Sequence, residues 1–158
     1  MCIRDRDSWR QYMSDALNLG YGYDRIENVL WRVYHGELDS ITADRIVLMI
    51  GTNNLSAQDS DEEIIEGLRF LSEAITTRRP EAEFVLAGIL PRAGMEPRIR
   101  SLNKKIARLA SELKADFIDP GARLLAKGGK KIDGNMFVDG VHPTAEGYRK
   151  IASQVAGK

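Results

Sequence analysis

The sequence contains one cysteine, Cys2, and two histidines, His35 and His142, in 158 residues. A single thiol excludes a disulfide within the chain and any cysteine-based metal cluster. Two histidines argue against a histidine-rich metal site, so neither metal nor cofactor is expected. An excess of either charge is also missing, with 23 Lys+Arg against 23 Asp+Glu. Without a net field, nothing selects for nucleic acid or an anionic membrane surface. No apolar stretch approaches the length of a membrane-spanning helix. Residues 1–10 are charged and lack the apolar centre of a secretory leader. The compartment follows from where the native chain starts: cytoplasmic if at Met1, open to an upstream leader if not.

What is present is the composition of an ordinary globular domain, 43% hydrophobic and 29% charged, of a length that suits one sizeable core. The stretch that organises the chain is Arg45-Ile46-Val47-Leu48-Met49-Ile50-Gly51-Thr52-Asn53-Asn54. Its short unbroken apolar run predicts a strand buried on both faces of a parallel sheet. Such strands deliver function in the crevice beyond their carboxyl ends. Gly51 there allows close backbone approach, and Asn53 carries a side-chain NH₂ donor.

Around this strand the pattern alternates. Trp9 and Met13 mark one face of a helix tail over 8–14. Residues 16–19 predict a short strand ending at Gly20, and Tyr21-Gly22-Tyr23-Asp24 a loop. Ile26, Val29, Leu30 and Val33 have helical spacing, with Gly36 as the stop. Ser60-Asp61-Glu62-Glu63 reads as a capping box opening a helix that turns Ile64, Ile65, Leu68, Leu71 and Ile75 inward. A strand over 83–89 follows, then a helix through Ile99, Leu102, Ile106, Leu109 and Leu113. A short strand over 115–119 comes next, and an irregular stretch over 124–134. The last helix is capped by Thr144 and buries Tyr148, Ile151, Ala152 and Val155. Alternation of this kind predicts parallel strands with right-handed helical crossovers: an α/β fold, a three-layer α/β/α sandwich.

Chemistry concentrates at Asp139-Gly140-Val141-His142. A loop histidine is free to reach a reaction centre, and a carboxylate three residues back can orient its imidazole. The bland alternative is a His–Asp pair that only caps the last helix. Asn53 and the glycine-bearing loop at 20–23 close strands at the same sheet edge. They offer a side-chain amide and accessible backbone N–H groups, the donors an oxyanion hole needs. Base, orienting carboxylate and oxyanion donors together describe acyl transfer. Bland readings suit the remaining polar and aromatic residues. His35 is a solvated or carbonyl-capping residue, Trp9 and Trp31 are core, and Arg92, Arg98 and Lys127–Lys131 are solvated surface.

At these residues the chain resembles the SGNH hydrolases, the GDSL-type esterases and lipases. Asn18-Leu-Gly-Tyr-Gly-Tyr-Asp24 is similar to that family's second block, Gly51-Thr-Asn-Asn54 to its third and Asp139-Gly-Val-His142 to its fifth. The run from Asn28 to Leu38, followed by Ile-Gly-Thr-Asn-Asn, is similar to the catalytic subunits of intracellular platelet-activating-factor acetylhydrolase. The resemblance covers Trp9 to the C-terminus. It implies a flavodoxin-like parallel sheet and a metal-free Ser-His-Asp mechanism. It makes His142 the base and Asp139 its partner, with Asn53 and the Tyr23 main-chain amide, preceded by Gly22, as the oxyanion hole. The second block usually places glycine where Tyr23 stands, so the tyrosine side chain must point away or narrow the pocket. The implied partner is a small-molecule ester, with small acyl groups such as acetyl foremost, and a homo-oligomer is left open.

One departure matters. The family begins with an apolar strand ending in Gly-Asp-Ser, whose serine is the nucleophile, and this chain has no such strand. Asp7-Ser8 mimics the dipeptide behind Arg6 rather than glycine. A crossover between parallel strands needs about a dozen residues, more than separate Ser8 from Asn18. Ser8 is therefore read as a helix-start residue, residues 1–8 as a non-native or disordered N-terminus, and 9–158 as the esterase domain, first strand absent. Two explanations stand: an N-terminally truncated esterase, inactive as it stands here because the nucleophile is missing, or a catalytically inactive SGNH-fold binding or partner subunit. The first is favoured, because an inactive homologue would lose the serine by substitution and keep the strand.

Overall fold

Phe84, Val85, Leu86 and Ala87 are buried at every successive position, the signature of a strand covered on both faces. They lie in β2 (Glu83–Ala87), the middle strand of a three-stranded sheet ordered β1-β2-β3, with β1 at Arg45–Leu48 and β3 at Asp116–Ile118. The computed structural model describes residues 6–157; Cys2 and the rest of positions 1–5 lie outside them. β1 and β2 run parallel, pairing Arg45 with Glu83, Ile46 with Phe84, Val47 with Val85 and Leu48 with Leu86. β1 departs from expectation. Ile46 and Val47 are only half-buried, and the strand ends at Leu48. Among the described residues β1 has a neighbour on one side only, so it is an edge strand, and β2 has the burial predicted for β1.

The strand expected over 16–19 does not form. No ladder pairs it among the described residues, Leu17 is 65% exposed, and the Asn18 side chain accepts the Gly20 N–H at 2.9 Å. Such a local side-chain bond offers the backbone an alternative to a ladder, and it bends the chain before Gly20.

The helices follow the sequence closely. They are α1 (Arg6–Tyr12), α2 (Ile26–Tyr34), α3 (Thr52–Ser56), α4 (Asp61–Arg78), α5 (Glu96–Glu112) and α6 (Ala145–Val155). α1 begins two residues before Ser8. The capping box opens α4: Ser60 Oγ accepts from the Glu63 amide, and Glu63 Oε2 accepts from the Ser60 amide at 2.7 Å. Thr144 Oγ1 accepts from Gly147 N–H and caps α6. Gly36 takes φ +88° just past α2, where left-handed geometry closes the helix. Ile65, Leu113 and Val155 are half-buried rather than buried.

The chain divides into two compact units. One comprises Tyr23–Ala87 and Lys104–Phe117. In it α2 packs on α4, so closely that a Cβ at Gly67 would lie 3.1 Å from Ile26 Cγ2. Its core includes Val33, Ile64, Leu68, Leu71, Val85, Leu86 and Ile106. Trp31, expected in this core, is instead 61% exposed and stacks on His35 with ring centres 3.9 Å apart. The other unit comprises the residues up to Gly22, Gly88–Asn103, and Ile118 onward. There α1 and the 3₁₀ turn Pro120–Leu124 pack on α6, and Leu124, Met136, Phe137, Tyr148 and Ile151 form the core. Buried Asn103 clamps the chain just past β2, accepting from Ile89 N–H at 2.9 Å and donating to Ile89 O at 3.0 Å.

Candidate active site

Residues 137–143 form a pinched loop ahead of α6. Phe137 bridges Pro143 antiparallel, and Val138 N–H donates to His142 O at 2.8 Å. Gly140, at φ +78°, turns the tip, and its carbonyl accepts from Ala93 N–H at 2.9 Å. A Cβ there would come within 2.8 Å of Ala93 Cβ, so glycine is required by both backbone and space.

Asp139 organises this loop from within. Its Oδ1 accepts the amides of Val141 at 3.0 Å and His142 at 2.8 Å. Its Oδ2 lies 2.7 Å from His142 Nδ1. These bonds hold the Asp139 carboxyl well below the usual carboxylate range, the His142 amide contributing most, then its ring, then the Val141 amide. A carboxylate can only accept, so Nδ1 carries the proton and Nε2 of the neutral ring is left as the basic nitrogen. His142 and Asp139 side chains are 41% and 49% exposed. Solvent and small molecules therefore have access to the ring.

In the other unit, Gly51 follows β1 at φ +113° and caps α3, and Asn53 is the second residue of that helix. Asn53 Nδ2 donates to the Asp24 carbonyl at 2.8 Å. That bond uses one of its two N–H groups. Tyr23, beside Asp24, holds φ +64°, a left-handed conformation rare outside glycine and asparagine. Its side chain is 94% exposed, pointing to solvent as the replacement of glycine requires. Its main-chain N–H makes no hydrogen bond among the described residues. Gly22, just before it, has open space around its α-carbon.

Asn54 has a different task from Asn53. It is 3% exposed. Its Oδ1 accepts the Ile26 amide at the start of α2, and its Nδ2 donates to Glu27 and Asp59. An aspartate here would set a third carboxylate against those two, which accounts for asparagine at the end of this block.

Sequence reasoning missed several charged residues. Arg32 on α2 grips the Asp24 carboxylate with two bonds, at 2.9 and 2.8 Å, and donates to Glu37 at 2.7 Å. Nothing in the spacing of Asp24, Arg32 and Glu37 announces this cluster, since it depends on how the chain turns into and out of α2. Glu96 is 4% exposed at the start of α5. Backbone hydrogen bonding, its own amide first, holds its carboxyl low despite burial. Asp119, just past β3, is pushed the other way, burial outweighing the bond from the Gly121 amide. Among the described residues no three His, Cys, Asp or Glu side chains form a group that could hold a metal.

Comparison with known proteins identifies the family and the fold. Residues 3–150 match the family model described as GDSL-like Lipase/Acylhydrolase family. The chain is 33% identical over 156 residues to platelet-activating factor acetylhydrolase IB subunit alpha2 of Homo sapiens, covering 94% of this chain and 67% of that protein. The fold is shared with a GDSL-like lipase from Bacteroides thetaiotaomicron, at TM-score 0.78 and 19% identity, over 94% of this chain and 82% of the other. A carbohydrate acetylesterase from Sinorhizobium meliloti aligns at TM-score 0.63 and 16% identity, over 92% and 89%. The α/β sandwich expected from the alternating pattern is thus the SGNH hydrolase type. By the family match and by its relatives, the chain belongs to the GDSL-like lipase/acylhydrolase family and is an ester hydrolase by descent.

Proposed function

We propose that the protein, as its gene encodes it, removes small acyl groups, acetyl foremost, from ester substrates, with His142 as general base and Asp139 as its orienting partner. Asn53 through its side-chain amide and Tyr23 through its main-chain N–H, freed by Gly22, donate to the oxyanion. The observation that carries this reading is the Asp139 carboxylate, whose two oxygens fix both the loop and the ring. His142 Nδ1 is the donor in that pair, so Nε2 can take a proton from a hydroxyl nucleophile and return it to the leaving alcohol. Asp139 stabilises the imidazolium formed between those steps. As the carbonyl becomes tetrahedral, its oxygen gains charge, and N–H donors aimed at it lower that barrier. The acetyl preference rests on the acetylhydrolase relatives, whose names state that activity for them.

The nucleophile belongs to a serine, by the family's mechanism. No serine among the described residues bonds the His142 ring. The hydroxyls of Ser14, Ser56, Ser60 and Ser153 bond to groups within four residues of themselves. Ser72 is buried in α4. Labelling identifies the nucleophile directly. Purified as its gene encodes it, the protein should hydrolyse p-nitrophenyl acetate and take up a fluorophosphonate on one serine. His142→Ala should lower kcat/KM by roughly 10⁴-fold or more, as loss of a triad base does, and abolish labelling. Absence of both turnover and labelling in the parent protein, with acetyl, propionyl and butyryl esters alike, would favour a binding or partner subunit instead.

A further inference from the structure

Asn53 can serve an oxyanion only if its amide is aimed. A planar NH₂ has two N–H directions fixed relative to each other. Tethering one to the Asp24 carbonyl at 2.8 Å therefore sets where the other points. The tether is as rigid as Asp24 itself. Asp24 is held through its carboxylate by the two-pronged Arg32 bond, and Arg32 is held in turn by Glu37. All three side chains are largely buried, at 12%, 19% and 14% exposure for Asp24, Arg32 and Glu37.

Tyr23 points to the same cluster. Its left-handed backbone costs energy for a residue with a Cβ, and a side chain 94% in solvent contributes no packing to offset that. What restrains residue 23 is its covalent neighbour Asp24, clamped to α2. One guanidinium thus stands behind both proposed oxyanion donors: the Tyr23 N–H through the chain, and the Asn53 amide through the Asp24 carbonyl.

We infer that Arg32 is a positioning residue for the oxyanion site, acting through Asp24 to hold the Tyr23 main-chain N–H and the Asn53 side-chain amide in donating geometry. This rests on the esterase reading for its catalytic consequence, while its structural consequence stands apart. Lysine at 32 keeps the positive charge but loses the planar fork that grips both Asp24 oxygens.

The test compares Arg32→Lys, Asn53→Ala and the double variant in the protein as its gene encodes it, at a temperature where circular dichroism shows each folded. Arg32→Lys should lower kcat for p-nitrophenyl acetate at least tenfold with KM changed less than twofold. In the Asn53→Ala background the same substitution should cost much less, because one of the donors it aims is already gone. By NMR, Arg32→Lys should lower the ¹⁵N order parameter of Tyr23 and speed exchange of the Asn53 side-chain NH₂. Asp24→Asn, which keeps a side-chain oxygen for Arg32, should give an intermediate effect and replaces Arg32→Lys if that variant does not fold. Unchanged kcat in folded Arg32→Lys, or equal losses in the two backgrounds, would overturn the inference. If the parent protein proves inactive, the esterase reading fails and the NMR arm still decides: unaltered Tyr23 order and Asn53 exchange would overturn the positioning role by themselves.

Discussion

A carboxylate that accepts two backbone amides and one ring N–H is bound to the folded chain in its charged form. Asp139 is in that position, and its pKa is lowered accordingly. The sign of its linkage to stability follows. A group with a depressed folded pKa contributes stability in full above its unfolded value, about 3.9 for aspartate. That contribution is lost as pH falls toward the folded value. Asp139→Asn should therefore lower Tm at pH 7, and the gap between variant and parent should narrow steadily as pH falls from about 4 toward 2. Thermal melts across that range check it; a gap that persists undiminished at pH 2 would contradict the assignment. The Asp139–His142 pair was legible in the sequence because three residues of loop are too few to carry the two groups apart. Arg32 was not legible, since its partners are eight residues before it and five after, and only the turns at either end of α2 bring them to one guanidinium.

At the scale of elements, α6 and the loop before it are fitted to each other through Gly147. A Cβ on this residue would sit 2.6 Å from the Met136 carbonyl oxygen and 3.0 Å from Pro143 Cβ. The carbonyl cannot yield freely, because it accepts the Thr144 amide at 2.9 Å. Gly147→Ala should push α6 from the loop that carries Asp139 and His142. The expected loss is about 1–3 kcal/mol, the usual range for overpacking, despite alanine's better helix propensity. A chemical-denaturation midpoint equal to or above the parent's would show that the loop gives way without cost. Helix ends were readable from sequence because caps are local: Ser60 with Glu63, and Thr144 with Gly147. Strand pairing was less readable. The apolar run after Arg45 and the weaker pattern over 16–19 both suit extended chain. Whether extended chain becomes a strand depends on a neighbour with free N–H and C=O groups, which no local pattern encodes.

For the whole molecule, stability rests on the cores of the two units, and each can be probed separately. Leu71 in α4 and Ile151 in α6 are both fully buried. Leu71→Ala and Ile151→Ala should each cost about 2–5 kcal/mol, the transfer term plus the cavity left behind. At roughly 2–4 °C per kcal/mol for a chain of this size, calorimetry should record drops of several degrees for both. Exposed Glu66→Ala is the control, expected within about 0.5 kcal/mol of the parent. A core variant that melts with that control would mean its unit contributes little to the measured transition. None of the helices among the described residues is long and apolar enough to cross a membrane.

The sequence by itself determined the elements whose causes are local: amphipathic helices, their caps, the β2 run, and the Asp139–His142 loop. Its order of apolar strands and helices, with three short motifs in register, was enough for the α/β class and the hydrolase family. The tertiary structure alone decided that, among the described residues, β1 lies at an edge and residues 16–19 form no strand. It also decided that Trp31 faces water, and that two adjacent asparagines divide their work, Asn53 bonding one loop carbonyl and Asn54 buried among carboxylates. The physical reason is the same in each case. Burial, ladder pairing and ion-pair partnership are properties of two segments at once, and a single stretch of sequence specifies only its own half.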